Sequence, residues 1–124
     1  VYGSFGDGLY SAFLSNKAMA KEYGRVHYVL GGVPSNPKKV QGRNAAEIFI
    51  QNIVSDFCIE NGIENRLSEF EKLTTISKEV MRKGYNGLII QGREMVHYNP
   101  ENVLYFETEN ELYNYYLNLQ KYGN

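Results

Sequence analysis

Glu94 opens the apolar run Glu94-Met95-Val96-His97-Tyr98 directly behind Gly92-Arg93, and Tyr10 follows the turn Gly6-Asp7-Gly8. If Glu94 begins a strand, its side chain shares a face with Val96 and Tyr98, while Met95 and His97 point the other way. A carboxylate there is either a solvated strand-end charge or a group aimed into a cleft, where it can face positive charge that develops during a reaction. The paired glycines before Tyr10 are not a dinucleotide-binding fingerprint. Ser11 stands where the third glycine belongs, and no strand precedes the turn. They read instead as a backbone of positive φ and a surface kept clear of side chains beside Tyr10.

Other chemistry has little material. Cys58 is the single cysteine, so it forms no intramolecular disulfide, and its apolar periodic setting marks it as a buried structural thiol. His27 and His97 lie far apart with no Cys or His at ligand spacing, so no metal site is expected; each reads as a packed or surface imidazole on an alternating strand. A formal charge of −1 supplies no general attraction for nucleic acid or anionic membrane. No apolar run approaches the roughly 20 residues that span a bilayer, and no signal peptide opens the chain, so the expected setting is cytoplasmic, in the host or target cell included.

The elements that must position Glu94 and Tyr10 follow from periodicity. At 124 residues with 43% apolar and 22% charged side chains, the chain suits one folded domain of residues 1–124, with Val1 as either a processed end or the start of a fragment. Residues 8–14 read as a strand, Ser15 as a helix N-cap, Asn16 to Tyr23 as a brief helix closed by Gly24, and Arg25 to Val33 as a second strand. Pro34 to Gly42 reads as a polar loop. Apolar residues at 46, 49, 50, 53, 54, 57 and 58 predict an amphipathic helix between Arg43 and Gly62. Leu67, Phe70, Leu73, Ile76 and Val80 predict a second, with Ser68 and Glu71 as a capping box and Gly84 at the stop. Three strands then fall in residues 85–92, 94–100 and 102–108. Thr108 and Glu111 cap a last helix carrying Leu112, Tyr115, Tyr116 and Leu119. Eleven tyrosines and no tryptophan are unusual, but the late ones read first as packing for that helix.

The segments Gly6 to Gly24 and Glu94 to Val103 together resemble the ADP-ribosyltransferase superfamily, in the branch with a His-Tyr-Glu triad. There a Gly-x-Gly turn precedes a strand of the form Ile/Leu-Tyr-x-Ala, then a serine stop and a short helix with a second tyrosine, as in GDGLYSAFLSNKAMAKEYG. The family's glutamate begins a strand similar to EMVHYNPENV, and GYNGLII is similar to the strand before it. The resemblance implies an α+β fold of split antiparallel sheets with a central αα insertion and a C-terminal helix. It also implies NAD as co-substrate, with Glu94 and Tyr10 as catalytic residues and Gly8, Tyr10, Ser11 and Tyr23 as the NAD-binding set. Lys17, Lys21, Arg25 and Arg43 are candidates for the pyrophosphate, each also readable as a solvated charge. The triad histidine belongs to a strand upstream of the Gly-x-Gly turn. An upstream segment or a partner chain supplies that strand, or this member lacks it.

Nicotinamide leaves NAD without net charge while the ribose carbon gains oxocarbenium character, so a carboxylate that accepts a hydrogen bond from the 2′-hydroxyl and faces that carbon stabilises the transition state. Tyr10 and Tyr23 would enclose the nicotinamide ring. Compact members of the family include bacterial toxins, injected effectors and phage inhibitors of host defence. The low charge favours a protein acceptor over nucleic acid. Gly92 stands where the arginine-modifying branch has Gln or Glu, which speaks against arginine as the modified residue. RNA 2′-phosphotransfer, on a related fold, would call for a basic cluster beyond Lys38-Lys39. A catalytically inactive interaction module of the same fold is the alternative from another class.

Overall fold

The computed structural model describes residues 2–16, 18, 20, 27–64 and 67–122. Along them run β1 (Tyr2–Gly3), β2 (Gly6–Asp7), β3 (Leu9–Ser11), a 3-10 turn at Leu14–Asn16, β4 (Tyr28–Leu30), β5 (Pro37–Val40), α1 (Gly42–Glu60), α2 (Glu69–Arg82), β6 (Gly87–Ile90), β7 (Glu94–His97), β8 (Leu104–Phe106) and α3 (Glu109–Tyr122). The class is α+β. Of the short helix expected after Ser15, Ala18 and Ala20 are helical, and Tyr23, Lys17, Lys21 and Arg25 lie outside the described residues.

The main sheet has the order β3-β7-β6-β5, flanked by the two-stranded pairs β1-β2 and β4-β8. One expectation is corrected here. Residues 37–40 are not loop but strand, and β5 lies parallel to β6 with Val40 beside Ile90. The sheet is therefore mixed rather than antiparallel throughout. Parallel neighbours need a long crossover between them, and α1 and α2 are that crossover. Proline and lysine are tolerated because β5 is an edge, where one side of the backbone has no strand to satisfy and Pro37 stands first in the strand. The Lys38 ammonium lies over the rings of Phe49 and Tyr85, its Nζ 5.5 and 5.8 Å from their centroids, so cation–π attraction holds its charge at this edge.

Both crossover helices stop by the same device. Gly84 at φ +102° and Gly62 at φ +64° take the left-handed conformation that side chains disfavour. The amides of Gly84 and Tyr85 bond the carbonyls of Met81 and Val80, and those of Gly62 and Ile63 bond Ile59 and Cys58, the paired pattern of a Schellman stop. At the start of α2 the Ser68 hydroxyl accepts the Glu71 amide at 3.2 Å, as the sequence predicts.

The core sits between this helical layer and one face of the sheet. Ala46, Ile53, Val54 and Cys58 of α1 and Ile76 and Val80 of α2 pack there with Leu88, Ile90 and Val96. Cys58 is buried, as expected for a structural thiol. The loop after β4 crosses the opposite face of the sheet, with Gly32 against Leu9 and Val29 and Pro34 against Gly87. That cover lies on Leu9 and Gly87, the two register neighbours of His97, and buries it; all four residues of β7 are buried, Met95 included. α3 contrasts with the other helices: it lies on β4 and β8, touches Phe106 through Tyr115 at 5.5 Å, and buries no residue. No helix among the described residues is long and apolar enough to cross a membrane.

Candidate functional site

The chain's two ends meet in the pairing of β3 with β7, which sets Tyr10 opposite Val96 and Ser11 opposite Met95. Directly opposed residues project from the same face and alternate along the strand. Tyr10, Val96 and Glu94 therefore share the helix-covered face, with Tyr10 and Glu94 as diagonal neighbours about 7–8 Å apart at the backbone. Ser11 projects from the other face, beside Met95. The turn expected at Gly6-Asp7-Gly8 is corrected: Gly6 and Asp7 form β2, paired with β1, and the turn lies at Ser4-Phe5, yet the two glycines divide the roles expected of them. Gly6 takes the positive φ, +102°, while a Cβ at Gly8 would lie 2.7 Å from the His97 carbonyl oxygen, so Gly8 is there for close approach of β3 to β7.

Tyr10 is tied by its hydroxyl, which accepts the Phe5 amide at 2.9 Å and donates to the Gly6 carbonyl at 2.6 Å. Tyr98, on the same face as Glu94, donates to the Phe5 carbonyl at 2.7 Å. Two tyrosines thus grip the peptide groups around Phe5, whose ring is fully buried. Burial first, and the nearby Tyr10 second, push the Tyr98 phenol far above its ordinary range, so it is a donor at neutral pH.

Glu94 lies where three stretches of chain converge at one end of the sheet. The β5–α1 corner is stitched to the β6–β7 turn by Gln41, which donates to the Gln91 side chain at 2.9 Å, and by the Gln91 amide on the Val40 carbonyl at 3.0 Å. The segment leaving β3 reaches the same turn through Asn16, whose side-chain amide donates to the Arg93 carbonyl at 2.9 Å. Beside this junction Glu94 is 8% exposed, and its carboxylate has the Arg43 guanidinium 3.7 Å away. That separation exceeds a hydrogen bond, so the pair is held by charge and the oxygens keep their capacity to accept. Arg43 is itself held from behind: Nε donates to Glu47 at 3.0 Å, and the guanidinium carbon stands 5.2 Å from the centroid of the Phe5 ring.

The structure thus brings Glu94, Tyr10 and Arg43 to one face and one end of the sheet, holds Gly8 in the seam behind them, and turns Ser11 away. Sequence reasoning placed Arg43 among phosphate candidates and missed its tie to Glu94. Pairing of β5 with β6, where the sequence predicts a loop, is what brings the start of α1 to the β6–β7 turn and Arg43 to Glu94. Neither of two surface concavities is lined by Glu94: one of about 360 Å³ lies between α1 and α2, lined by Ile50, Gln51, Val54, Ser55 and Lys72, and one of about 340 Å³ takes in Gly8 of the expected NAD-binding set, with Asp7, Leu9, Tyr98, Pro100 and Tyr105. Among the described residues no group of three or more His, Cys, Asp or Glu side chains could hold a metal ion. Compared with models of protein families, with curated proteins and with solved structures, the chain matches none.

Proposed function

We propose that the chain is an NAD-dependent ADP-ribosyltransferase, moving ADP-ribose from NAD to a protein acceptor in the manner of bacterial toxins, injected effectors and phage inhibitors of host defence. One observation carries the reading: an almost buried carboxylate, Glu94, shares a sheet face with Tyr10 on the adjoining strand and has a guanidinium beside it too distant to occupy its lone pairs. In the reaction the bond between ribose C1′ and the nicotinamide nitrogen breaks, its electron pair leaves with the nicotinamide, and the acceptor nucleophile bonds C1′ and loses its proton. Glu94 accepts the ribose 2′-hydroxyl and faces the positive charge as it develops, an interaction stronger in the transition state than in the ground state. Tyr10 contributes the face of its ring, since its hydroxyl is engaged by the Phe5–Gly6 backbone.

The test is nicotinamide release on mixing the chain with NAD, alone and with candidate acceptors. Glu94→Gln nearly keeps the shape and removes the charge, and its rate is expected to fall by about 100-fold or more, the range seen when one transition-state contact of this kind is lost. Equal release by both forms, or none by either, would exclude the reading. A second reading, an inactive interaction module of the same fold, rests on α3, where Tyr113, Tyr116 and Leu117 are all exposed on a helix with no buried residue. An unchanged melting temperature with saturating NAD, where binding would raise it, would favour the module.

A further inference from the structure

Arg43 is placed by more contacts than a solvated charge needs. Its Nε is bonded to Glu47 one turn further along α1, its planar head rests by the Phe5 ring, and its NH1 faces Glu94. Each neighbour is itself fixed. Phe5 is gripped through its backbone by Tyr10 and Tyr98, and the corner that carries Arg43 is stitched to the turn that carries Glu94 by Gln41, Gln91 and Val40. A guanidinium has donors on three nitrogens in one rigid plane, so a bond at Nε to one carboxylate leaves the far edge aimed at another. A lysine in the same place has one charged nitrogen and cannot bond Glu47 through one nitrogen while facing Glu94 with another. Of the two carboxylates beside Arg43, Glu94 is the buried one, its side chain 11% exposed against 47% for Glu47.

We infer that Arg43 is the positioning residue of the site: clamped by Glu47 and Phe5, it holds the Glu94 carboxylate by charge at the place from which that group meets the ribose. The inference rests on the proposed NAD chemistry and adds a residue to it. Arg43 acts through Glu94, so its loss weakens stabilisation of the transition state more than it weakens binding of NAD.

The experiment follows nicotinamide release from NAD under steady-state conditions for the whole chain and for Arg43→Gln, Arg43→Lys, Glu47→Gln and Glu94→Gln. Far-ultraviolet circular dichroism and melting temperature check that each is folded. Arg43→Gln is expected to lower kcat at least 10-fold with KM within about 3-fold of wild type. Arg43→Lys restores part of that loss, and Glu47→Gln, an exposed substitution that spares the fold, lowers kcat by a smaller factor in the same direction. Arg43→Gln variants that keep kcat within 2-fold, or that raise KM alone, overturn the inference; the second result would assign Arg43 to the pyrophosphate. With Arg43→Gln poorly folded, Glu47→Gln decides: an unchanged kcat overturns the inference. An inactive wild type overturns the function and this inference together. An active wild type with an inactive Glu94→Gln and an unaffected Arg43→Gln overturns the inference alone.

Discussion

β7 and β8 follow one another in the chain, and their burial runs opposite to their composition. β7 carries a glutamate and a histidine, and every residue in it is buried; β8 is Leu-Tyr-Phe, and its leucine and tyrosine are 39% and 58% exposed. The cause is position. β7 lies between β3 and β6 with α1 and α2 over one face and the loop after β4 over the other, whereas β8 has β4 as its strand partner and α3 as a loose neighbour. Hydrophobicity alone would have buried β8 and left Glu94 at the surface. Polar groups therefore sit in the central strand against their transfer preference and must be held there: Glu94 by Arg43, and His97 by the Asn99 amide donating to its Nδ1 at 3.3 Å.

The contrast can be broken or sharpened by substitution. Met95→Ala in β7 is expected to cost about 2–5 kcal/mol in urea denaturation, because a 2%-exposed side chain leaves a cavity, while Leu104→Ala in β8 should cost less than about 1 kcal/mol. Equal losses would mean that β8 is as much a part of the core as β7. Gly8→Ala comes next, at about 1–3 kcal/mol, since the new methyl meets the His97 carbonyl and the Val96 side chain and must push β3 from β7. If a melting experiment found Gly8→Ala neutral, the tight seam between those strands would be wrong.

The smallest effect is on pH dependence. Burial lowers the His97 pKa from its ordinary 6.5, so the native state binds a proton less readily than the unfolded chain. Stability from this group is full above 6.5 and falls as the pH drops toward the lowered native value, where the unfolded state alone gains the proton. The midpoint of urea unfolding should therefore decline from pH 7.5 to pH 5.5 in wild type and decline less in His97→Gln. Parallel curves would show that His97 is hydrated enough to titrate freely.

How much of this was legible beforehand differs between parts of the molecule. The two crossover helices were legible because burial on one side writes a 3.6-residue repeat, and because Ser68, Gly62 and Gly84 mark their ends through backbone chemistry that depends on a few neighbours. β5 was not, since an edge strand with Pro37, Lys38 and Lys39 has the composition of a loop and earns its structure from β6 alone. Alternation correctly put Glu94 and Val96 on one face and His97 on the other, yet it could not say that both faces are covered. The pairing of Tyr10 with Val96 and the approach of Arg43 to Glu94 depend on contacts between distant parts of the chain, which no local pattern encodes.

The bond from Tyr98 to the Phe5 carbonyl spans 93 residues of sequence. A ring that large closes at an entropic cost that grows only as the logarithm of its length, a cost the local contacts within each crossover helix do not carry. In a chain emerging during synthesis, residues 42–82 of the two helices are made before the Tyr98 that meets the Phe5 carbonyl. The seam of β3 with β7 and the grip on Phe5 thus depend on residues made late in the chain, while each crossover helix depends on its own neighbours.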